Sequence, residues 1–150
     1  MVTTKNCGRD ALATAAVSTT GRGEFVATVA PDGEVINYTE TYSGLQAPVT
    51  VSHIHVGQLG VTGSVVIFLC QTAGNSDPTG LAPQCPQEGT VSGVITAANV
   101  IQGSMAPKKL SAGDLVAVIT AIRAGAAYAN VHTQASPGGE IRGQIRVIGK

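Results

Sequence analysis

The stretch Val-Ser-His-Ile-His-Val-Gly at residues 51–57 decides how the rest of the chain is interpreted. Its apolar and polar residues alternate, and this period of two predicts a β-strand. Because successive side chains of a strand point to opposite faces, His53 and His55 share one face, and the apolar residues beside them share the other. His132, the third histidine of the chain, lies in a similar alternating stretch at residues 128–133. We therefore predict two strands that present three imidazoles to one another.

The overall composition predicts a folded protein without a strongly charged surface. Of the 150 residues, 43% are hydrophobic and 12% are charged, and nine basic residues balance nine acidic ones. This length fits one domain with its own core, so we predict a single domain over residues 1–150, with residues 1–10 loosely ordered. We expect no nucleic-acid partner, because such proteins carry a basic footprint. We also expect no transmembrane segment, because the longest strongly apolar run falls far short of the roughly 20 residues that span a bilayer.

Further alternating segments predict an all-β fold, either an antiparallel β-sandwich or a Greek-key barrel. Turn residues separate the other predicted strands, which cover residues 11–17, 23–29, 35–42, 64–70, 90–95 and 141–148. The turn Pro-Asp-Gly-Glu at residues 31–34 joins two of them into a hairpin. One short helix is predicted at about residues 113–124, where apolar residues follow helical spacing and Gly125 can end the helix. The apolar residues of this helix are Leu115, Val118, Ile119 and Ile122.

Three cysteines bear on where the protein works. A bridge between Cys70 and Cys85 would close a loop of about 15 residues and stabilise the fold by roughly 3 kcal/mol. The alternative is three free thiols, with Cys70 a small buried hydrophobe. The start of the chain lacks the apolar core of a signal peptide, so the protein is either cytosolic or an exported protein whose signal has been removed. Low charge and the loop cysteines favour a secreted or periplasmic protein.

Three imidazoles on two strands form a candidate metal site. Imidazole nitrogens suit zinc and copper, and strands hold them in a preset geometry. Beside His53, His55 and His132 there is no cysteine or aspartate at ligand spacing. An open three-histidine site therefore fits better than a closed four-ligand structural zinc site.

The polar residues around the histidines have two interpretations. Tyr128, Asn130 and Glu140 are placed to accept the second N–H of a ligand imidazole and so to orient the ring. Glu140 and Arg142 can equally form a solvated or ion-paired start of a strand, whereas an Arg142 that points to the histidines would steer a small anion to them. The histidines themselves can be internal hydrogen-bond partners of a β-fold without any metal.

Several other functional motifs are absent from the sequence. There is no Gly-x-Ser-x-Gly nucleophile elbow and no His-Glu-x-x-His zinc motif. The glycines Gly57, Gly60 and Gly63 are spaced differently from those of a dinucleotide-binding loop, and no helix is predicted after them. The loop at residues 71–89 has a length that is usually functional or mobile, so we expect any protein partner to contact it.

Two blocks of the sequence resemble the CHRD domain, the chordin-type repeat. The first is His-Ile-His-Val-Gly at residues 53–57, followed by Gly-Ser-Val-Val at residues 63–66. The second is Tyr-Ala-Asn-Val-His-Thr at residues 128–133, followed by Pro-Gly-Gly-Glu-Ile-Arg-Gly-Gln at residues 137–144, and the family often has Val where Ala129 stands. The resemblance covers residues 11–148. It implies an extracellular or periplasmic all-β domain in a family whose general activity is poorly defined.

The histidine pattern is also distantly similar to the copper site of Cu/Zn superoxide dismutase. That family uses a His-x-His strand, a later strand histidine and an arginine near the copper, which match His53, His55, His132 and Arg142. This chain has no further histidine to bridge two metals, so the similarity implies a mononuclear copper site with an open coordination position. We therefore expect an exported metal-binding β-domain with copper rather than zinc and with redox or superoxide chemistry. The alternative is a non-enzymatic extracellular binding or structural module.

Overall fold

The computed structural model of the protein describes residues 17–103 and 110–148, together with the backbone of residues 2–7. The strands in these residues are β1 (Val2–Cys7), β2 (Arg22–Val29), β3 (Ile36–Ser43), β4 (Val49–Val56), β5 (Ser64–Cys70), β6 (Gly89–Ile95), β7 (Ala127–Thr133), β8 (Ile141–Gln144) and β9 (Arg146–Val147). A five-stranded sheet has the order β6-β3-β2-β1-β9, and a four-stranded sheet has the order β5-β4-β7-β8. The predicted all-β fold is confirmed, and in the described residues it is a sandwich of two antiparallel sheets rather than a closed barrel.

The five-stranded sheet shows the predicted alternation most clearly in β3. Every second residue of this strand is buried, from Ile36 to Tyr42, and the residues between them are exposed. β2 and β3 form the predicted hairpin, and Gly33 in its turn has a φ of 76°. Glycine adopts such a positive φ without steric cost, which explains its place in the turn. The inward-facing residues of β3 include a carboxylic acid, Glu40, which is only 1% exposed.

The four-stranded sheet is covered on both of its faces. Its central strands β4 and β7 are antiparallel, and all seven residues of β7 are buried. One face carries Ile54 and Ala129, which belong to the main hydrophobic core together with residues of the five-stranded sheet. Strand alternation therefore turns the histidines of β4 and β7 to the opposite face, away from this core.

The single α-helix of the described residues, α1 (Leu115–Arg123), packs on the core with the predicted face. Its buried residues are Leu115, Val118, Ile119 and Ile122. The Asp114 carboxylate caps the helix by accepting a hydrogen bond from the Ala117 N–H at 2.9 Å, and Gly125 follows the end with a φ of 69°. The predicted helix is thus confirmed. In the described part of the chain, no helix is long and apolar enough to cross a membrane.

The two ends of the chain differ from the strands predicted there. Residues 2–7 form β1, which pairs with β2 on one side and β9 on the other, and the loose order of residues 1–10 stays a prediction. The predicted strand at residues 11–17 lies outside the described residues except for Val17, which is not in a strand. The prediction of one strand over residues 141–148 was wrong. The chain passes at the fully buried Ile145 from β8 in one sheet to β9 in the other.

The disulfide between Cys70 and Cys85 is confirmed, with the two residues 15 positions apart in the sequence. It ties the loop at residues 71–89 to the end of β5. Within this loop the buried Asp77 carboxylate accepts hydrogen bonds from three backbone N–H groups. The loop is therefore a compact structure held to the sandwich at several points.

Candidate metal centre

Three histidines meet on the face of the four-stranded sheet that points away from the core. His53 and His55 come from β4 and His132 from β7. One ring nitrogen of each lies within 4.8 Å of those of the other two. The three side chains are only 6% to 8% exposed. The convergence predicted from strand alternation is therefore present in the structure.

The pairing of β4 with β7 determines which rings touch. His53 lies opposite Asn130, and His55 lies opposite Tyr128. His132 is therefore a diagonal neighbour of His53, which is still within side-chain reach in an antiparallel sheet. The Nδ1 atom of His53 is 3.2 Å from Nε2 of His132. The His55 ring stacks on the Tyr128 ring, with 4.7 Å between their centres.

Hydrogen bonds to two loop carbonyls fix the protons on these rings. The Nδ1 atom of His55 is 3.0 Å from the carbonyl oxygen of Gly63. The Nδ1 atom of His132 is 2.8 Å from the carbonyl oxygen of Pro137. A carbonyl oxygen only accepts, so both Nδ1 atoms donate, and in a neutral ring both Nε2 atoms keep a lone pair. His53 must then donate from Nδ1 to His132, which leaves the Nε2 atom of His53 as an acceptor too.

The face around the histidines carries lone pairs that have no donor. Buried polar side-chain atoms without a hydrogen-bond partner in the described residues are His53 Nε2, His55 Nε2, Asn130 Oδ1, Gln144 Oε1 and Glu40 Oε2. Four of these five acceptors belong to residues on β4, β7 and β8 of the four-stranded sheet. An unpaired buried polar atom costs roughly 1–3 kcal/mol, and folded proteins rarely keep one without a reason. Unpaired acceptors grouped in this way fit a site that receives a cation.

Burial keeps the three imidazoles neutral at pH 7. Burial, together with the neighbours His132 and His55, lowers the pKa of His53 to about 2. Burial lowers the pKa of His55 to about 4, although the hydrogen bond to Gly63 acts in the opposite direction. Burial also lowers the pKa of His132, against the effect of its bond to Pro137. Metal ions bind neutral imidazole, so protons do not compete for these nitrogens near neutral pH.

Arg142 lies on the same face as the histidines. Its guanidinium carbon is 3.7 Å from the centre of the Tyr128 ring, which is a cation–π contact. Its Nη2 atom donates to the carbonyl oxygen of Val61 at 3.3 Å, and the side chain is 6% exposed. Tyr128 thus contacts both Arg142 and His55, which lie on the strands at either side of β7. Steering of an anion by Arg142 remains a prediction.

Two of the residues predicted to orient the rings act differently from the prediction. Tyr128 stacks on His55 instead of accepting its N–H, and its hydroxyl oxygen accepts the backbone N–H of Gly63 at 3.0 Å. Tyr128 therefore holds in place the residue whose carbonyl binds His55. The amide nitrogen of Asn130 is 3.5 Å from the carbonyl oxygen of Gly138, in the turn that carries the acceptor for His132.

The prediction that Glu140 orients a ring was wrong. Its fully buried carboxylate accepts hydrogen bonds from the Thr19 hydroxyl, the Gln46 backbone N–H and the Thr133 hydroxyl. Thr133 follows His132 directly on β7, so its side chain points to the opposite face of the sheet. Glu140 therefore joins separate segments behind the histidine face. Backbone carbonyls take the role assigned to it, and residue type alone does not reveal such acceptors.

A comparison with protein families decides where this chain belongs. A family model described as the CHRD domain matches residues 2–145, nearly the whole chain. The chain belongs to the CHRD domain family. CHRD domains are extracellular protein-interaction modules, and the disulfide of this CHRD domain fits a secreted protein. No curated protein and no solved structure matched it.

Proposed function

We propose that this CHRD domain is an exported protein, secreted or periplasmic, that binds one copper ion through His53, His55 and His132. The observation that carries the proposal is the pair of buried Nε2 atoms on His53 and His55 that have no hydrogen-bond partner. They belong to a cluster of three neutral rings, two of which are oriented by backbone carbonyls. Zinc is the second candidate, because imidazole nitrogens bind both metals.

A bound copper ion would supply one-electron redox chemistry, and superoxide is the substrate we propose for it. The protein contributes position and charge. Tyr128 and the loop carbonyls hold the ligand rings, and the low exposure of the histidines limits contact with water. Arg142 adds a positive charge on the same face, which would raise the local concentration of a small anion.

Metal content and copper binding test the proposal directly. Protein purified without chelator is analysed for metals, and the metal-free protein is titrated with Cu(II) and followed by electron paramagnetic resonance. We expect one copper per chain and a nitrogen-rich tetragonal spectrum, which His53→Ala and His132→Ala both abolish. Ser52→Ala is the control, because it removes a hydrogen bond on the core side of β4 and leaves the three rings in place. A spectrum that is the same in the histidine variants and the wild type would reject the proposal.

A second candidate is a non-enzymatic binding or structural module, in which the histidines serve as internal hydrogen-bond partners. The His53–His132 contact and the tied loop at residues 71–89, which exposes 54% of Leu81, favour it. CHRD domains are protein-interaction modules, so this loop is the proposed contact surface for a protein partner. This function predicts no stoichiometric metal. It also predicts a large loss of stability for His53→Ala in the metal-free protein.

A further inference from the structure

Two glycine-containing segments reach over the histidine face, and each supplies the acceptor for one ring. The first is the loop at residues 57–63, whose last residue accepts the Nδ1–H of His55. The second is the turn at residues 137–139, whose first residue accepts the Nδ1–H of His132. The position of each segment therefore decides the orientation and the tautomer of a candidate ligand.

The loop at residues 57–63 closes by direct contact between backbone atoms. A Cβ atom added to Gly63 would lie 2.0 Å from the carbonyl oxygen of Val56 and 2.9 Å from the Cα atom of Gly57. Real Cβ atoms essentially never approach other heavy atoms closer than 3.0 Å, and backbone atoms cannot rotate out of the way. The closed loop therefore has room only for glycine at position 63. Gly57 and Gly63 approach each other where the loop closes, which explains these two glycines without a dinucleotide-binding role.

The turn at residues 137–139 has a similar restriction. Gly139 has a φ of 110°, and a Cβ atom there would lie 2.2 Å from Oδ1 of Asn130. Asn130 is 3% exposed and has little room to move away. The N–H of Gly139 donates to the carbonyl oxygen of Ser136 at 2.9 Å, which closes the turn. A side chain at position 139 would displace the turn and with it the Pro137 carbonyl.

We propose that Gly63 and Gly139 are positioning residues of the histidine cluster: by having no side chain, they let two loop carbonyls hold the Nδ1 protons of His55 and His132, so that Nε2 of each ring keeps its lone pair. The consequence for metal affinity rests on the proposed function, whereas the consequence for the tautomers does not. Groups that orient metal-bound histidines typically change metal affinity about 10- to 100-fold when they are altered.

The test compares Gly63→Ala and Gly139→Ala with Gly74→Ala as a matched control. Gly74 has no positive φ, and a Cβ atom there would meet nothing within 4 Å. In the metal-free protein, long-range ¹H–¹⁵N correlation spectra of the histidine rings report which nitrogen carries the proton. We expect His55 and His132 of the wild type to be protonated at Nδ1. Gly63→Ala should change the His55 signals and not those of His132, Gly139→Ala should change the His132 signals and not those of His55, and Gly74→Ala should change neither.

Copper affinity is the second measurement. We expect both positioning variants to bind Cu(II) about 10- to 100-fold more weakly than the wild type and the Gly74→Ala control. If Gly63→Ala does not fold, Tyr128→Phe loosens the same loop without adding an atom, because it removes only the hydroxyl that accepts the Gly63 N–H. It should weaken copper binding and change the His55 signals.

The outcomes separate this inference from the proposed function. Wild-type rings protonated at Nε2, or unchanged His55 signals in both Gly63→Ala and Tyr128→Phe, would overturn the role of these glycines. A wild type that shows the expected tautomers but binds no copper would leave the positioning role intact and would reject the metal site.

Discussion

Replacing Glu40 with glutamine should stabilise this protein increasingly as the pH rises from 4.5 to about 8. Glu40 is 1% exposed and lies on the core side of β3. Its Oε1 atom accepts a hydrogen bond from the Ser52 hydroxyl at 2.8 Å, and its Oε2 atom has no partner in the described residues. Burial, only partly offset by the Ser52 hydrogen bond, raises the pKa of Glu40 from 4.5 to about 8. The folded protein therefore keeps this acid protonated at pH values where the unfolded chain has released the proton.

The sign and the size of the effect follow from these two pKa values. Because the pKa is raised in the folded state, the contribution of Glu40 is fully present below pH 4.5 and is lost as the pH rises to about 8. The contribution of Glu40 to the free energy of unfolding should fall by roughly 1.4 kcal/mol per pH unit inside this window, a total on the order of 5 kcal/mol. Glutamine resembles the protonated acid and does not titrate, so Glu40→Gln should be increasingly more stable than the wild type as the pH rises.

Urea unfolding of metal-free wild type and Glu40→Gln between pH 4.5 and 8.5 measures this difference. Effects of the histidines and the other acids cancel, because both proteins contain them. Glu34→Gln is the control, because it makes the same substitution at an exposed position of the turn before β3. Unfolding free energies of the wild type and Glu40→Gln that run parallel across the whole pH range would refute the reasoning.

Three further predictions concern the disulfide, the histidines and the arginine. The double variant Cys70→Ala, Cys85→Ala should lose about 3 kcal/mol of stability, and a reductant should destabilise the wild type but not the variant in urea unfolding. In the metal-free protein, the contribution of His55 to stability should fall as the pH drops from 6.5 towards 4, since burial lowers the pKa of His55 to about 4, so wild type should lose stability relative to His55→Gln over this range in the same assay. In the copper-loaded protein, Arg142→Gln should slow the binding of a small anion such as azide roughly tenfold at low salt, and added salt should reduce the difference in stopped-flow measurements.

Strand alternation predicted more of this structure than any other feature of the sequence. It placed His53 and His55 on one face and His132 on a strand that faces the same way, because the period of two is a property of the extended backbone itself. The same rule places Glu40 beside Tyr38 and Tyr42 on the inner face of β3, although acidic side chains usually lie in solvent. The alternation of β3 therefore predicts that the Glu40 side chain points inward, even though the residue is an acid.

The features that the sequence did not predict depend on contacts between distant segments. The diagonal contact of His53 with His132 depends on the register of β4 and β7, and irregular pairing in β4 shifts that register. The ring acceptors are backbone carbonyls at Gly63 and Pro137, and every residue has such a carbonyl. Only the close backbone contacts of the glycines would have pointed to them. Those contacts exist only once the loops are folded.

The hydrogen bonds of the rings distinguish a structural histidine from a candidate ligand. His132 has a partner at both nitrogens, the Pro137 carbonyl and His53, so as a ligand it would exchange the bond from His53 for the cation. His53 and His55 each bury an Nε2 atom without a partner in the described residues, at a cost of roughly 1–3 kcal/mol for each atom. If the cluster were purely structural, apolar side chains at positions 53 and 55 would avoid this cost. Two acceptors without a partner therefore favour a ligand that binds both Nε2 atoms at once. A single cation among neutral rings does so, and its binding would stabilise the folded protein in proportion to its concentration and affinity.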